Sequence, residues 1–385
     1  MWVLSIPLVL LVYGSMNAYT GVRIFAFLRY FFPSFKAYYF WPLFILFCFS
    51  FILTMVFRLD WLRPFRQAAI NSFPAVLYLF MLLLLLDGIR LVLQHMNLVP
   101  KTPGVLAART GIALALTVIT IFCGAFNARQ IRQVRYDVTL GKSGEPFRIA
   151  LVSDLHIGET VDRKWLANIV DAVNGANPDI ICIAGDVFDN NIGSLPDPEG
   201  ITAELRRFKA PLGVYACQGN HDVDRLSLRV GTTADRIREF LGKANIVFLF
   251  DEVVLIADRF YLAGRRDARP IGRAESAVRK TAAELAAGID FSKPLVFMDH
   301  QPVDYPSLEE AGTDLILSGH THRGQFFPGN VITAMLFRKA GAVDYGHWRG
   351  ISAQGVVSSG AGVWGPPIRI GTISEVAVVN VSFSK

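Results

Sequence analysis

Glutamate is missing from residues 1–127 of this 385-residue chain, and only two aspartates, Asp60 and Asp87, occur there. A stretch so poor in acid does not have the mixed-charge surface of a soluble domain. Its nine Lys and Arg stand between long apolar runs, where they read as membrane flanks. The remaining residues hold 29 Lys and Arg against 30 Asp and Glu, so the net charge of +6 belongs to the front third. The back part therefore lacks the basic surface that phosphate-backbone binding demands, which argues against a nucleic-acid partner. Cysteine is scarce as well. Cys48, Cys123, Cys182 and Cys217 form no CxxC pair and no disulfide framework, and buried free thiols favour a reducing compartment. Internal repeats and low-complexity tracts are absent.

Long apolar runs are what the front third does have. Four stretches approach the roughly 20 residues needed to cross a bilayer. They are Trp2–Tyr19, Tyr38–Phe57, Phe73–Leu93 and Thr110–Asn127. The first lacks a basic leader and a small-residue cleavage site, so it reads as a retained helix. Tyr38, Tyr39, Trp41 and Trp61 fall near span ends, as interfacial rings do. Four crossings place Arg58, Arg63, Arg66, Arg129, Arg132 and Arg135 on the side of the back part. Arg23, Arg29, Lys36, Lys101 and Arg109 fall on the other side. Six cations against five favour a cytoplasmic back part in a multi-pass inner-membrane protein. Asp87 and Arg90, three residues apart, read as a helix-surface pair near the headgroups, with an intramembrane functional pair as the alternative. Ala128–Tyr136 reads as a basic linker suited to anionic headgroups.

From Val134 onward the pattern changes to short apolar runs separated by amphipathic ones. Arg148–Ser153, Ile180–Ala184, Gly213–Gln218, Ile246–Phe250, Val253–Ala257, Phe260–Ala263, Leu295–Met298 and Leu315–Leu317 predict strands. So do Gly355–Ser358 and Glu375–Phe383 near the end. Lys164–Gly175, Ala234–Lys243 and Ala274–Ala287 predict helices. The reading is three regions: a four-helix membrane part over 1–127, a linker with a first strand over 128–146, and a mixed α/β (α+β) domain over 147–385.

Seven histidines occur, and five of them sit in short motifs at the ends of predicted strands. These are Asp154-Leu155-His156, Gly185-Asp186, Gly219-Asn220-His221-Asp222, His300 before Gln301-Pro302, and Gly319-His320-Thr321-His322. Alternation along a strand would place Asp154 and His156 on one side, and His320 and His322 likewise. Gly185 lets the backbone turn tightly before Asp186. Oxygen and imidazole ligands from several strand ends are what a pair of divalent cations needs. Nitrogen and oxygen donors without thiolate admit Mn, Fe, Zn or Co, with Mn the first choice.

This ordered set resembles the calcineurin-like metallophosphoesterases over roughly residues 147–383, and in particular their membrane-linked bacterial branch. The resemblance implies two stacked, largely β layers flanked by helices, with metals at one edge. It implies a first metal on Asp154, His156, Asp186 and His322, and a second on Asp186, Asn220, His300 and His320. Asp186 would bridge the two and hold them at about 3.5–4 Å. Two such cations would acidify a bridging water for attack on phosphorus. His221 would contact the phosphoryl group or protonate the leaving oxygen, and Asp222 would orient its ring.

Other residues carry less. His95 and His347 read as structural. Arg323 faces either a substrate phosphate or solvent. Gly360–Arg369 forms either an apolar lip for an acyl chain or a rigid turn on the core. The expected activity is metal-dependent phosphoester hydrolysis at the bilayer, on a lipid-linked phosphodiester or pyrophosphate. The resemblance makes UDP-2,3-diacylglucosamine, a lipid A precursor, the concrete example. The alternatives are an anchored enzyme for soluble nucleotides or envelope polymers, and a non-catalytic scaffold. A scaffold would have lost a ligand, and all seven expected positions are filled.

Overall fold

The computed structural model describes residues 2–56, 63–189, 192–223, 232–269 and 279–384. The chain divides into two compact units, Met1–Ala125 and Phe126–Lys385.

The first unit is built from α1 (Trp2–Phe31), α2 (Ala37–Val56), α3 (Arg63–Ala69), α4 (Ser72–His95) and α5 (Pro103–Ala128), the last three residues of α5 belonging to the second unit. Pro7–Phe31, Ser72–His95 and Pro103–Ala128 are long and apolar enough to cross a membrane. The second expected span forms α2, which is apolar over Ala37–Leu53 and reaches Val56, where the described residues of this segment end. Phe57, Arg58, Asp60 and Trp61 lie outside the described residues. Arg23 and Arg29 fall within α1 and Arg109 within α5, where loops were expected. The reason is local: nothing breaks the helix between Tyr19 and Phe31, and Pro103 starts α5 early, as proline at a first helical turn does.

Asp87 is buried, not on a helix surface. Tyr19 donates to it, Arg109 pairs with it, Arg23 lies 3.0 Å away and Arg90 3.2 Å away. The cluster joins α1, α4 and α5 through the expected pair. A buried carboxylate among apolar helices needs such partners.

The second unit holds two six-stranded sheets. Its strands are β1 (Ile131–Leu140), β2 (Phe147–Val152), β3 (Ile180–Ala184), β4 (Val214–Cys217), β5 (Ile246–Leu249), β6 (Glu252–Ile256), β7 (Phe260–Gly264), β8 (Leu295–Met298), β9 (Leu315–Ser318), β10 (Gly346–Arg349), β11 (Gln354–Val357) and β12 (Ser374–Phe383). The orders are β1-β12-β2-β3-β4-β5 and β10-β11-β9-β8-β7-β6. Most of the expected basic linker is β1, which pairs in parallel with β12 from Ile131–Ser374 to Leu140–Phe383.

The helices are α6 (Arg163–Asn174), α7 (Pro198–Leu205), α8 (Thr232–Lys243), α9 (Ala282–Ala286), α10 (Tyr305–Glu310) and α11 (Gly329–Lys339). The expected helix Ala274–Ala287 shortens to α9, because Thr281 caps its start in a capping box with Glu284 and Arg279–Thr281 are not helical; residues 274–278 lie outside the described ones. The sequence reading missed α7, α10 and α11. Helix α6 shows the local logic. Asp162 caps it by accepting from the Trp165 N–H at 2.8 Å, and Trp165, Leu166, Ile169, Val170 and Val173 face inward.

Three apolar layers result. Leu151, Cys182, Leu262, Val296 and Leu317 meet between the sheets. Val152, Ile183, Leu166 and Leu241 pack helices on the first sheet. Phe297, Ile316, Leu285 and Leu308 do the same on the second. Strands covered on both faces read as unbroken apolar runs, as Ile180–Ala184 does. Parallel pairing of β2, β3 and β4, and of β8 and β9, sends five strand exits in matching directions within each sheet.

Candidate metal centre

Each motif sits just past one of those exits. Asp154 and His156 follow β2, Asp186 follows β3, and Asn220 with His221 follow β4. His300 follows β8, and His320 with His322 follow β9. All nine expected residues gather here. Asp154, His156, Asp186, Asn220, His221, Asp222, His300 and His322 are buried, and His320 is nearly so.

Strand alternation does not bring the paired ligands together. Asp154 (φ 53°), His156 (φ 46°), Asp186 (φ 52°), His320 (φ 73°) and His322 (φ 48°) all hold left-handed backbone beyond the strand ends. That region is uncommon for residues with a Cβ and collects where function over-determines the backbone. Glycine makes the close approach possible. A Cβ on Gly219 would meet the Asp186 backbone N at 2.1 Å, and one on Gly319 would meet Asp154 Oδ2 at 2.5 Å.

Two donor groups emerge. In the first, His156 Nε2 and His322 Nε2 are 3.0 Å apart, and His322 Nε2 is 3.5 Å from Asp154 Oδ1. In the second, Asn220 Oδ1 lies 3.1 Å from His300 Nε2 and 2.7 Å from His320 Nδ1. Asp186 Oδ2 stands between them, 3.5 Å from His156 Nε2 and 3.2 Å from His300 Nε2. Its Oδ1 accepts the His221 backbone N–H at 2.7 Å. Backbone contacts fix other ligands. Asp154 accepts the His320 N–H at 3.1 and 3.0 Å, and His300 Nδ1 lies 2.8 Å from the Ala184 carbonyl. That carbonyl holds the proton on Nδ1 and turns Nε2 into the site.

Burial pushes His156 and His322 below the ordinary imidazole range, and His320 down to about 3. Neutral imidazole is the ligating form. Asp186 and His300 form a charged pair. Burial opposes both charges, but their mutual attraction wins, so Asp186 lies well below its usual range and His300 above it. Asp154, His156 and His322 converge within 4.8 Å, and so do Asp154, Asp186 and His300. Carboxylate, imidazole and amide oxygen in two converging groups fit two divalent ions.

Asp222, expected to orient the His221 ring, holds backbone groups of two loops. Its carboxylate accepts the N–H groups of Phe188 at 2.9 Å and Gly219 at 2.8 Å, and so ties two site loops together. Asp189 faces the His221 ring, with Oδ1 3.5 Å from Nδ1. His156, Asp189 and His221 form a third converging group. No motif marks Asp189; its place three residues after Asp186 is the available clue. Asp189 needs the turn after β3 to reach the ring.

Arg369 was also missed. It is fully buried and donates to the carbonyls of Ser359 at 2.7 Å, Gly362 at 2.8 Å, Gly360 at 3.1 Å and His322 at 3.3 Å. The start of the Gly360–Arg369 segment is therefore a rigid turn clamped beside a candidate ligand. Trp364 in the same segment is exposed, with its ring centroid 5.9 Å from that of His221. Arg323 packs over the Tyr345 ring at 4.2 Å. His347 lies 2.9 Å from Gln354 Oε1, and His95 ends α4, so neither joins the centre.

Residues 147–324 match the family model described as calcineurin-like phosphoesterase. An uncharacterized metallophosphoesterase of Campylobacter jejuni is 27% identical, over 98% of this chain and 98% of that protein. A zebrafish transmembrane protein with metallophosphoesterase domain is 30% identical, over 70% of this chain and 61% of that one. The Escherichia coli phosphodiesterase YaeI is 30% identical, over 47% of this chain and 62% of that one. The chain thus spans less than two thirds of the last two.

Proposed function

From the match of residues 147–324 to the calcineurin-like phosphoesterase family model, we propose a metal-dependent phosphoester hydrolase that works at a membrane on a lipid-borne phosphodiester or pyrophosphate. The observation that carries the reading is one chain holding both converging ligand groups and apolar helices long enough to cross a bilayer. The zebrafish relative is named for the same pairing, and the Escherichia coli relative is named a phosphodiesterase.

Two divalent ions held by the assigned ligands would supply Lewis acidity and a nucleophile at neutral pH. The chain's own residues do the rest. Asp154, His156 and His322 form one cradle, and Asn220, His300 and His320 the other, with Asp186 shared between them. His221 stands at the rim, faces Asp189, and is placed to hold a proton for the leaving oxygen. The Trp364 ring lies beside it, with centroids 5.9 Å apart. Burial of nearly every donor would leave the field of such ions unscreened by water.

The favoured substrate is a diacylated sugar nucleotide such as UDP-2,3-diacylglucosamine, met by a cytoplasmic catalytic unit of a four-span inner-membrane protein. The test is activity of purified, metal-supplemented full chain on a panel of lipid-linked and soluble phosphodiesters. Turnover confined to the soluble members would replace the lipid reading. A reporter fused after Lys385 tests the side. Activity of a periplasm-dependent reporter there would reverse the orientation and remove this substrate.

A further inference from the structure

Helix α11 turns its apolar side outward. Among its described residues none is buried. Val331 is 46% exposed, Ile332 52%, Met335 67% and Leu336 62%. Their spacing of i, i+1, i+4 and i+5 places all four on one stripe of the helix. Such a stripe on a folded domain ordinarily faces a core. Arg338 and Lys339 close the helix, and Gly329–Lys339 contains no acidic residue. Phe327 before it and Trp364 are also exposed.

The stripe borders the metal centre. A Cβ on Gly324, two residues after His322, would meet the Gly329 carbonyl carbon at 2.3 Å, so the start of α11 lies against the His322 turn. The Phe327 N–H donates to the Ile370 carbonyl at 2.9 Å, which ties the same corner to the Arg369 clamp. Trp364, on that clamp, lies beside His221.

We propose that α11 is an interfacial helix that lays its apolar stripe among the acyl chains of an anionic leaflet, with Arg338 and Lys339 at the headgroup phosphates. A helix with an apolar stripe and terminal cations has the chemistry for this placement. A bilayer is the committed occupant because the same chain carries helices that would hold this unit beside one. The charge also matches: two cations and no acid oppose an anionic surface. The consequence is that the rim of the metal centre rests on the leaflet, so a phosphate there arrives from the headgroup layer. This docking goes beyond the substrate reading and holds for a soluble substrate too.

The test uses the full chain in vesicles of phosphatidylethanolamine and phosphatidylglycerol. In a Cys123→Ser background, Met335→Cys carries an environment-sensitive fluorophore; Cys48, Cys182 and Cys217 are buried. Lys243→Cys on α8 is the control, since that side chain is 62% exposed. At position 335, doxyl-lipid quenching should be at least about threefold stronger than at 243, and iodide quenching correspondingly weaker. Ile332→Cys repeats the reading on the same stripe. Equal iodide quenching at 335 and 243 would overturn the proposal. Self-quenching that grows with protein density at 335 would assign the stripe to a second copy and overturn it as well. Hydrolysis of a soluble chromogenic diester, read on the same samples, reports the metal centre separately. Docking and the substrate reading can therefore fail independently.

Discussion

His156 and His322 turn their Nε2 atoms toward each other at 3.0 Å, from stacked buried rings with centroids 5.0 Å apart. Both imidazoles are pushed toward the neutral form by burial, so neither brings a charge of its own. Across the centre, burial lowers the His300 imidazole, but the Asp186 carboxylate 3.2 Å away outweighs it and raises it above the ordinary range. The two halves thus differ electrostatically, and Asp186 is the residue they share.

Removing the shared carboxylate should therefore cost more than removing either half. Asp186→Asn is expected to leave the protein without metal and without measurable turnover. His322→Ala and His320→Ala should each lower the content toward one ion per chain. Elemental analysis of the three purified variants gives the answer. Two metals retained in Asp186→Asn would refute the ligand assignment.

His221 and its neighbours should separate by readout. His221→Ala is expected to keep its metals and lose about 10²–10⁴ in turnover, the usual worth of a positioned proton donor. Asp189→Asn should lose about 10–100-fold, because Asp189 acts through the ring it faces. Asp222→Asn should instead lower metal content and thermal stability together, since Asp222 ties Phe188 and Gly219. Metal loss in His221→Ala would make that residue a ligand.

The pH dependence of stability has one identifiable contributor on the flank of the site. Asp267 is buried and accepts from Gln301 Nε2 at 2.8 Å and from the Arg269 N–H at 2.7 Å, while its Oδ2 lacks a partner among the described residues. Burial pushes it up to about 6 from 3.8. A raised carboxylate in the folded state means that folding takes up a proton between those values. Its contribution to stability is therefore full below about pH 4 and declines until about pH 6. Asp267→Asn keeps an accepting oxygen and removes the charge. Its stability relative to the parent should rise by about 3 kcal/mol between pH 4 and pH 8. Equilibrium unfolding at both values checks this, and a constant difference would refute it.

The motifs made the ligand set legible because each names a side chain with few other uses. The strands were legible for the same kind of reason: Ile180–Ala184 and Leu295–Met298 are apolar on both faces and read as unbroken runs. What the residues could not announce was the backbone at the site. Asp154 and His156 look like alternating strand positions, yet both lie beyond β2 in left-handed backbone. Asp189 and Arg369 depend on turns whose path is set by tertiary contact, so no local pattern marks them. Helix α11 went unread, and its apolar residues Val331, Ile332, Met335 and Leu336 lie outside the core. The reach of α1 past Tyr19 was hidden by Arg23, which reads as a loop cation until Asp87 appears beside it.

The membrane part can be separated from the chemistry, provided the cut respects β1. Asn127 donates to the carbonyls of Arg369 and Thr372, both at 2.9 Å, and the Ala128 carbonyl accepts from Ser374 Oγ at 2.7 Å. Strand β1 then covers β12 over ten residues. A fragment of residues 126–385 contains all these contacts and every candidate ligand. It is expected to fold, bind metal and hydrolyse a small chromogenic diester at the full chain's rate. A fragment of residues 141–385 bares the edge of β12, whose Val376, Val378 and Val381 are buried, and should aggregate. On a diacylated sugar nucleotide in vesicles, fragment 126–385 should fall far below the full chain, because the apolar helices confine the site to the surface where the lipid lives. Some activity there should persist through α11 and fall further in Met335→Gln/Leu336→Gln, while the chromogenic rate stays constant. Equal ratios of the two rates in fragment and full chain would show that the helices do not serve lipid access, and the soluble-substrate reading would then lead.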